Sequence, residues 1–198
     1  MYNEAADCAD TTSADCDYKV LSRIHAQSAV IFHKQVQPRS QLKELRVAEE
    51  YAWRGQDTLQ AIECYAQQGD VYAYLLIPDS VIIIKENAFR LYNEAGHQDW
   101  AAMTLGPAIR PLIRQGNYEK AKEYCSLYES DSGLFDDGGD VENGREIYYS
   151  IKGEYYMAIH QLDSAEHLFR KELRDGKDLN NTSRSEERFS RCRDRYRM

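Results

Sequence analysis

Residues 152–169 read KGEYYMAIHQLDSAEHLF, and with Tyr149 they form an ordered pattern. It runs aromatic, two residues, Lys152-Gly153, two residues, Tyr156, and then Ala165, three residues, Phe169. Small residues at Gly153 and Ala165 let two helices touch, and the aromatics fill the space between them. A helical hairpin of this kind cannot bury its apolar stripe alone, so further copies must stack on it.

Those copies are present upstream. Stepping back from Ala165 by 44, 40 and 40 residues reaches Ala121, Val81 and Gln41. The same steps from Gly153 reach Ile109, Gly69 and Ala29, and the large residue three places on is Tyr156, Leu112, Tyr72 and Phe32. Two independent anchor positions thus keep one register. The pattern resembles the tetratricopeptide repeat, whose consensus is about 34 residues long. The resemblance implies an all-α, right-handed superhelical solenoid. A spacing of about 40 residues adds roughly six residues per hairpin, on the order of 9 Å of helix, so long helices are expected.

Read in this register, residues 1–181 form the solenoid. It has a partial repeat at 1–14, hairpins at about 17–54, 57–94, 99–130 and 145–175, and an irregular acidic insertion at 131–144. One 40-residue step back from Gln41 lands on Met1, which makes residues 2–9 the second helix of a truncated copy, so the chain is expected to begin inside a solenoid. Asp17 or Ser22 opens a helix to about Lys34, and Pro38 and Ser40 mark the turn into a helix through Arg54. Asp57 or Thr58 caps the next helix, which runs to about Leu76. Pro78 and Asp79 start VIIIKENAFRLYNE, whose four apolar residues at 81–84 resemble a strand; register favours helix. Gly96 ends that helix, and Asp99 is the expected cap of the next. Pro107 and Pro111 fall where a helix belongs, so it either begins near Pro107 or is kinked at Pro111.

Composition narrows the function classes. The chain has 198 residues, 15 tyrosines and a formal net charge of −8. It contains no run of about 18 apolar residues, and its opening MYNEAADCADTTS lacks the basic start and apolar stretch of a secretory signal. The expectation is a cytoplasmic chain as written, without membrane contact, or a periplasmic one if it is a piece of a longer exported sensor. Five cysteines with no Cys-x-x-Cys pair indicate reduced, packing thiols. His160, Asp163 and His167 are close in sequence, but the register puts a turn between them, which argues against a metal site. Asp131, Asp136, Asp137, Asp140 and Glu142 do not match the calcium-loop spacing, so a solvated insertion is expected, with Leu134 and Phe135 against a hairpin. No cofactor is expected.

Residues 182–198 change character. They hold six arginines and three acids, a net of +3, after 181 residues with 19 basic and 30 acidic groups, a net of −11. Electrostatic contact with nucleic acid is one reading of this tail, and a disordered end is the other. The disordered reading has the better support, and nucleic acid is not the expected partner.

The wording of YNEAADCADTTSADCDY, SGLFDDGGDVENGREIYYSIKGEYYMAIHQLDSAEHLFRKEL and DGKDLNN resembles the repeat region of large, multi-domain signalling and regulatory proteins of Bacteroidetes. Those proteins carry an export signal, repeats, a membrane helix and a kinase-like or helix-turn-helix output. The resemblance implies a detached sensor or scaffold segment that binds protein or peptide. The alternative is the ligand-sensing arm of a transcription regulator or sensor kinase.

In such superhelices the first helix of each hairpin lines the groove. The register places Arg23, Val30, His33 and Lys34 there, followed by Asp70, Ala73 and Tyr74. Arg110, Ile113 and Arg114 come next, and then Glu154, Met157 and Ala158. Four arginines and lysines against two acids suggest an acidic peptide held by Arg110 and Arg114, with Tyr74 as an apolar wall. The competing view is that these charges are an ordinary solvated face. The places that clamp a terminal carboxylate in some relatives hold Ala26, Val30, Tyr74, Met103 and Pro107 here, so that specificity does not carry over. No hydrolase elbow, phosphate loop, dinucleotide fingerprint or zincin motif is present, and Asp163 with Glu166 reads as a helix cap, so no enzyme and no small-molecule substrate are expected.

Overall fold

Helices begin at residues 18, 38, 58, 78, 98 and 118, each twenty after the last. The computed structural model describes residues 16–142 and 144–175, so the partial repeat at 1–14 and the basic tail at 182–198 lie outside the described residues. In chain order the helices are α1 Tyr18–Lys34, α2 Pro38–Arg54, α3 Thr58–Tyr74, α4 Pro78–Glu94 and α5 Gln98–Thr104. They are followed by α6 Gly106–Arg114, α7 Tyr118–Asp131, α8 Ile147–Ala158 and α9 Leu162–Asp175. Among the described residues there is no strand, and Phe135 and Val141 form an isolated antiparallel bridge. The apolar run at 81–84 is helical, as its register requires. α1 to α4 are each 17 residues long, about 25 Å, in keeping with the long helices expected.

The boundaries have a common chemistry. Asp17 and Asp57 cap α1 and α3, accepting from the amides of Val20 at 3.1 Å and Gln60 at 3.3 Å, and Asn117 does the same for α7. α2 and α4 have no side-chain cap; Pro38 and Pro78 sit at their first turn, where a missing amide costs nothing. Two expected caps are corrected. Asp99 lies inside the first turn of α5, whose cap position is His97, and Asp163 lies inside the first turn of α9. There both carboxylates face the positive end of the helix dipole rather than closing it. Ser22 is buried within α1 and donates to the Ala48 carbonyl at 2.8 Å.

Each hairpin turn closes alike. The amides of Gln37, Asp57, Ile77, His97, Asn117 and Gln161 reach back five residues to a carbonyl, the six-to-one bond of a Schellman turn. The residue just before each of them has positive φ: Val36, Gln56, Leu76, Gly96, Gly116 and His160. Glycine is present at only two of the six. For a β-branched residue such as Val36, at φ 57°, that conformation costs about 1–2 kcal/mol. Val36→Gly relieves the strain and loses only an exposed side chain, offset in part by added freedom of the unfolded chain. It is expected to raise stability by up to about 1 kcal/mol, read as a higher urea midpoint, whereas Gly116→Val at the equivalent corner lowers it.

The proline question resolves in favour of a start at Pro107. The slot from 98 to 114 is filled by two short helices, broken at Leu105, whose amide turns to Ala102 three residues back. Pro107 is the second residue of α6, where its missing amide is harmless, and Pro111 is accommodated further along the same helix.

The chain divides into two compact units, residues 1–107 and 108–198. In the first, consecutive helices pack in series from α1 to α5. Ile62, Ala66, Ala88, Tyr92 and Ala101 form one core cluster there, and Ala29, Leu45 and Val71 form another. In the second, α8 packs on α7 and α9 on α8. Tyr128 stacks on the buried Tyr148 with ring centroids 5.1 Å apart, and Phe169 lies over Gly153. Cys64 and Cys125 are buried, and burial pushes both thiols up to about 11, so at neutral pH they are protonated packing groups.

The acidic insertion is solvated at all five of its carboxylates, as expected, and it is also anchored at several points. The Arg145 guanidinium donates to the carbonyls of Ser132 and Gly133, each at 3.0 Å, and lies over the Tyr128 ring. The Tyr149 hydroxyl accepts from the Val141 amide, and Lys171 pairs with Asp140 at 2.6 Å. Leu134 is fully buried as expected, whereas Phe135 is exposed.

Candidate functional site

In the first unit the residues named from the register meet in part. Val30 and His33 of α1 and Asp70 and Tyr74 of α3 line one depression of about 240 Å³, floored by Ala29 and Val71. A second, of about 370 Å³, lies between α3 and α5 and is walled by Tyr92, Trp100 and Met103, with Glu63 and Lys85. Gln67 and Asp70 line both, so the two depressions adjoin along α3, and together they form a furrow. Large apolar side chains stand open along it: Val30 is 42% exposed, Tyr74 60%, Trp100 41% and Met103 44%. Arg23 and Lys34 are exposed on α1 and line neither depression.

The reason these side chains share a face is helical spacing. Residues 63, 67, 70 and 74 fall at i, i+4, i+7 and i+11 along α3; Met103 and Pro107 stand forty residues after Glu63 and Gln67, and Trp100 is one turn before Met103. On α3 the expected site began at Asp70 and therefore missed Gln67 and Glu63, one and two turns earlier. Stepping back three and seven residues from Asp70 would have found both.

Lys85 was missed for a different reason, because it comes from α4, a second helix. Its side chain is 4% exposed, and its ammonium donates to the Ala66 carbonyl at 2.9 Å and Asp70 Oδ1 at 2.8 Å. The aliphatic stem crosses Gly69, where a Cβ would meet Lys85 Cε at 2.9 Å. Gly69 is thus a glycine because a lysine lies over it. Gln67 donates to Glu63 Oε1 at 3.1 Å, and the Glu63 charge acts on the neighbouring phenol: burial first, then Glu63, pushes Tyr92 up to about 12. The Tyr92 and Trp100 rings meet at 79° with centroids 5.8 Å apart.

In the second unit Arg110 and Glu154 are together, but as partners of each other. Arg110 Nε donates to Glu154 Oε2 at 3.0 Å, and Nη2 donates to Ser150 Oγ at 2.9 Å. A guanidinium held this way is already satisfied on two sides, which lessens its call for an external carboxylate. Arg114 stands exposed in the last turn of α6.

No family model matches the chain, and no curated protein is similar to it in sequence. A crystal structure of BtubC (BKLC) from P. vanneervenii is similar in fold, with a TM-score of 0.71 at 11% identity over 90% of this chain and 72% of that one. The likeness is one of fold alone. It agrees with an all-α, helical-repeat-like architecture in which consecutive helices pack in series. Among the described residues no helix is long and apolar enough to cross a membrane.

Proposed function

We propose that the chain is a non-catalytic module that binds a protein or peptide segment. In this reading it is a tetratricopeptide-like, right-handed solenoid of about 40-residue repeats, serving as the sensor or scaffold segment of a bacterial signalling protein. The observation that carries the proposal is the furrow of the first unit, where four large apolar side chains stand open beside hydrogen-bonding groups on a rigid helical support. Binding surfaces combine such apolar anchors with a few placed polar groups. The twenty-residue helix spacing supports the repeat reading, and the likeness to BtubC supports the architecture. An acidic partner for the second unit rests chiefly on Arg114, since Arg110 is engaged by Glu154.

Selection of a random 12-residue peptide library on the immobilised chain tests the proposal. Enriched peptides are expected to bind with micromolar affinity and to lose about tenfold in Tyr74→Ala, because an exposed aromatic anchor is removed without disturbing the core. No enrichment over bare support, or enrichment indifferent to Tyr74, would refute it.

A further inference from the structure

The furrow of the first unit has its own charge preference, and it is opposite to the one the register suggests. Two carboxylates, Glu63 and Asp70, line the depression between α3 and α5 against one ammonium, Lys85. That ammonium is already occupied by Asp70 at 2.8 Å and by the Ala66 carbonyl at 2.9 Å. Glu63 is therefore the surplus charge. Gln67 holds it in place by bonding one of its oxygens, while Asp70, whose side chain is half exposed, extends the acidic edge into the neighbouring depression lined by Val30, His33 and Tyr74. The remaining walls are Trp100, Met103 and Tyr92, which accept an aliphatic stem.

We infer that this furrow takes a partner segment carrying an arginine or lysine beside a large apolar residue. The cationic head pairs with Glu63 and the edge of Asp70, while the stem and the apolar neighbour lie against Trp100 and Met103. Long basic side chains suit such a site because their methylene stems bury on apolar surface while the charged tip stays paired. Aromatic walls add cation–π attraction. A carboxylate-bearing segment finds the reverse: Glu63 repels it, and the one ammonium nearby is engaged.

This inference rests on the peptide-binding reading and has a separate point of failure. Peptides enriched from the random 12-residue library on the intact chain are sequenced and then measured against Glu63→Gln and Glu63→Lys by fluorescence anisotropy. Enrichment of Arg or Lys next to Leu, Met or an aromatic is expected. Binding should weaken about threefold with Gln and about tenfold with Lys, and weaken further as salt is raised. Glu63 is exposed, so neither change touches the core, and circular dichroism of both variants checks that the helices are intact. Enrichment of acidic peptides, or cationic binders indifferent to Glu63→Lys, overturns the charge assignment and leaves the binding module standing. Failure to enrich any peptide overturns both.

Discussion

Phe169→Ala is expected to cost about 3–5 kcal/mol, the range for emptying an aromatic site in a close-packed core. Phe169 is fully buried in α9, and its ring lies directly over the α-carbon of Gly153 in α8. A Cβ on residue 153 would sit 2.5 Å from Phe169 Cε1 and 2.9 Å from Cδ1. No side chain fits there while the ring remains, so Gly153→Ala is itself expected to cost about 1–3 kcal/mol by overpacking. The two changes must not add. With Phe169 reduced to alanine, the Gly153→Ala methyl enters vacated space and also gains helix propensity of about 1 kcal/mol. Its sign therefore reverses, from destabilising alone to stabilising in the Phe169→Ala background. A double-mutant cycle in urea reads this directly, with Phe169→Ala lowering the midpoint by roughly 1–2 M. Additive losses would mean that the ring and the glycine do not depend on each other.

That contact also marks what could be read in advance. Gly153 and Phe169 stand out in the sequence as the two ends of one motif, sixteen residues apart, and the structure places one on the other. The same offset joins Ala29 with Leu45 and Gly69 with Lys85, so the series of hairpins was legible wherever small and large residues face each other. Helix ends were harder. Four of the six Schellman turns lack glycine, because Val36, Gln56, Leu76 and His160 adopt the left-handed conformation themselves. A stop signal based on glycine finds Gly96 and Gly116, meets Gly55 at the end of α2 just before the left-handed Gln56, and passes over the turns at Val36, Leu76 and His160. The caps at Asp99 and Asp163 were misplaced for a related reason: an acid near a helix start serves as a cap or as a first-turn charge, and only backbone geometry distinguishes the two. The candidate site was legible as a helix face but not in its pairing. Arg110 and Glu154 were both placed on the groove side, yet nothing in a 44-residue separation announces that they bond each other.

Lys85 tests how a charge survives in such a core. It occupies the slot that Leu45 fills in the first hairpin and Phe169 in the last, and it is buried like them. A buried ammonium is tolerated only with acceptors in place, and here Asp70 is the charged one. Asp70→Ala removes it and is expected to cost about 2 kcal/mol. That is below the 3–5 kcal/mol typical of a fully buried pair, because the Asp70 side is half exposed and water can enter. Lys85→Met keeps the stem over Gly69 and deletes the charge, and the Ala66 carbonyl remains within the helix ladder of α3. Stability should then change by less than about 1 kcal/mol, in either direction. In that background Asp70→Ala should cost almost nothing, because no buried cation is left waiting for it. Lys85→Ala, by contrast, also loses the stem and is expected to cost about 2–4 kcal/mol. The same substitution reports on the furrow. With methionine at 85, Asp70 is released from its ion pair and joins Glu63 as a second unneutralised carboxylate, so a cationic peptide should bind a few-fold tighter. An acidic ligand gripped by the ammonium would instead bind more weakly to Lys85→Met. One stability-neutral variant thus separates the two charge assignments, provided its urea midpoint stays close to that of the parent chain.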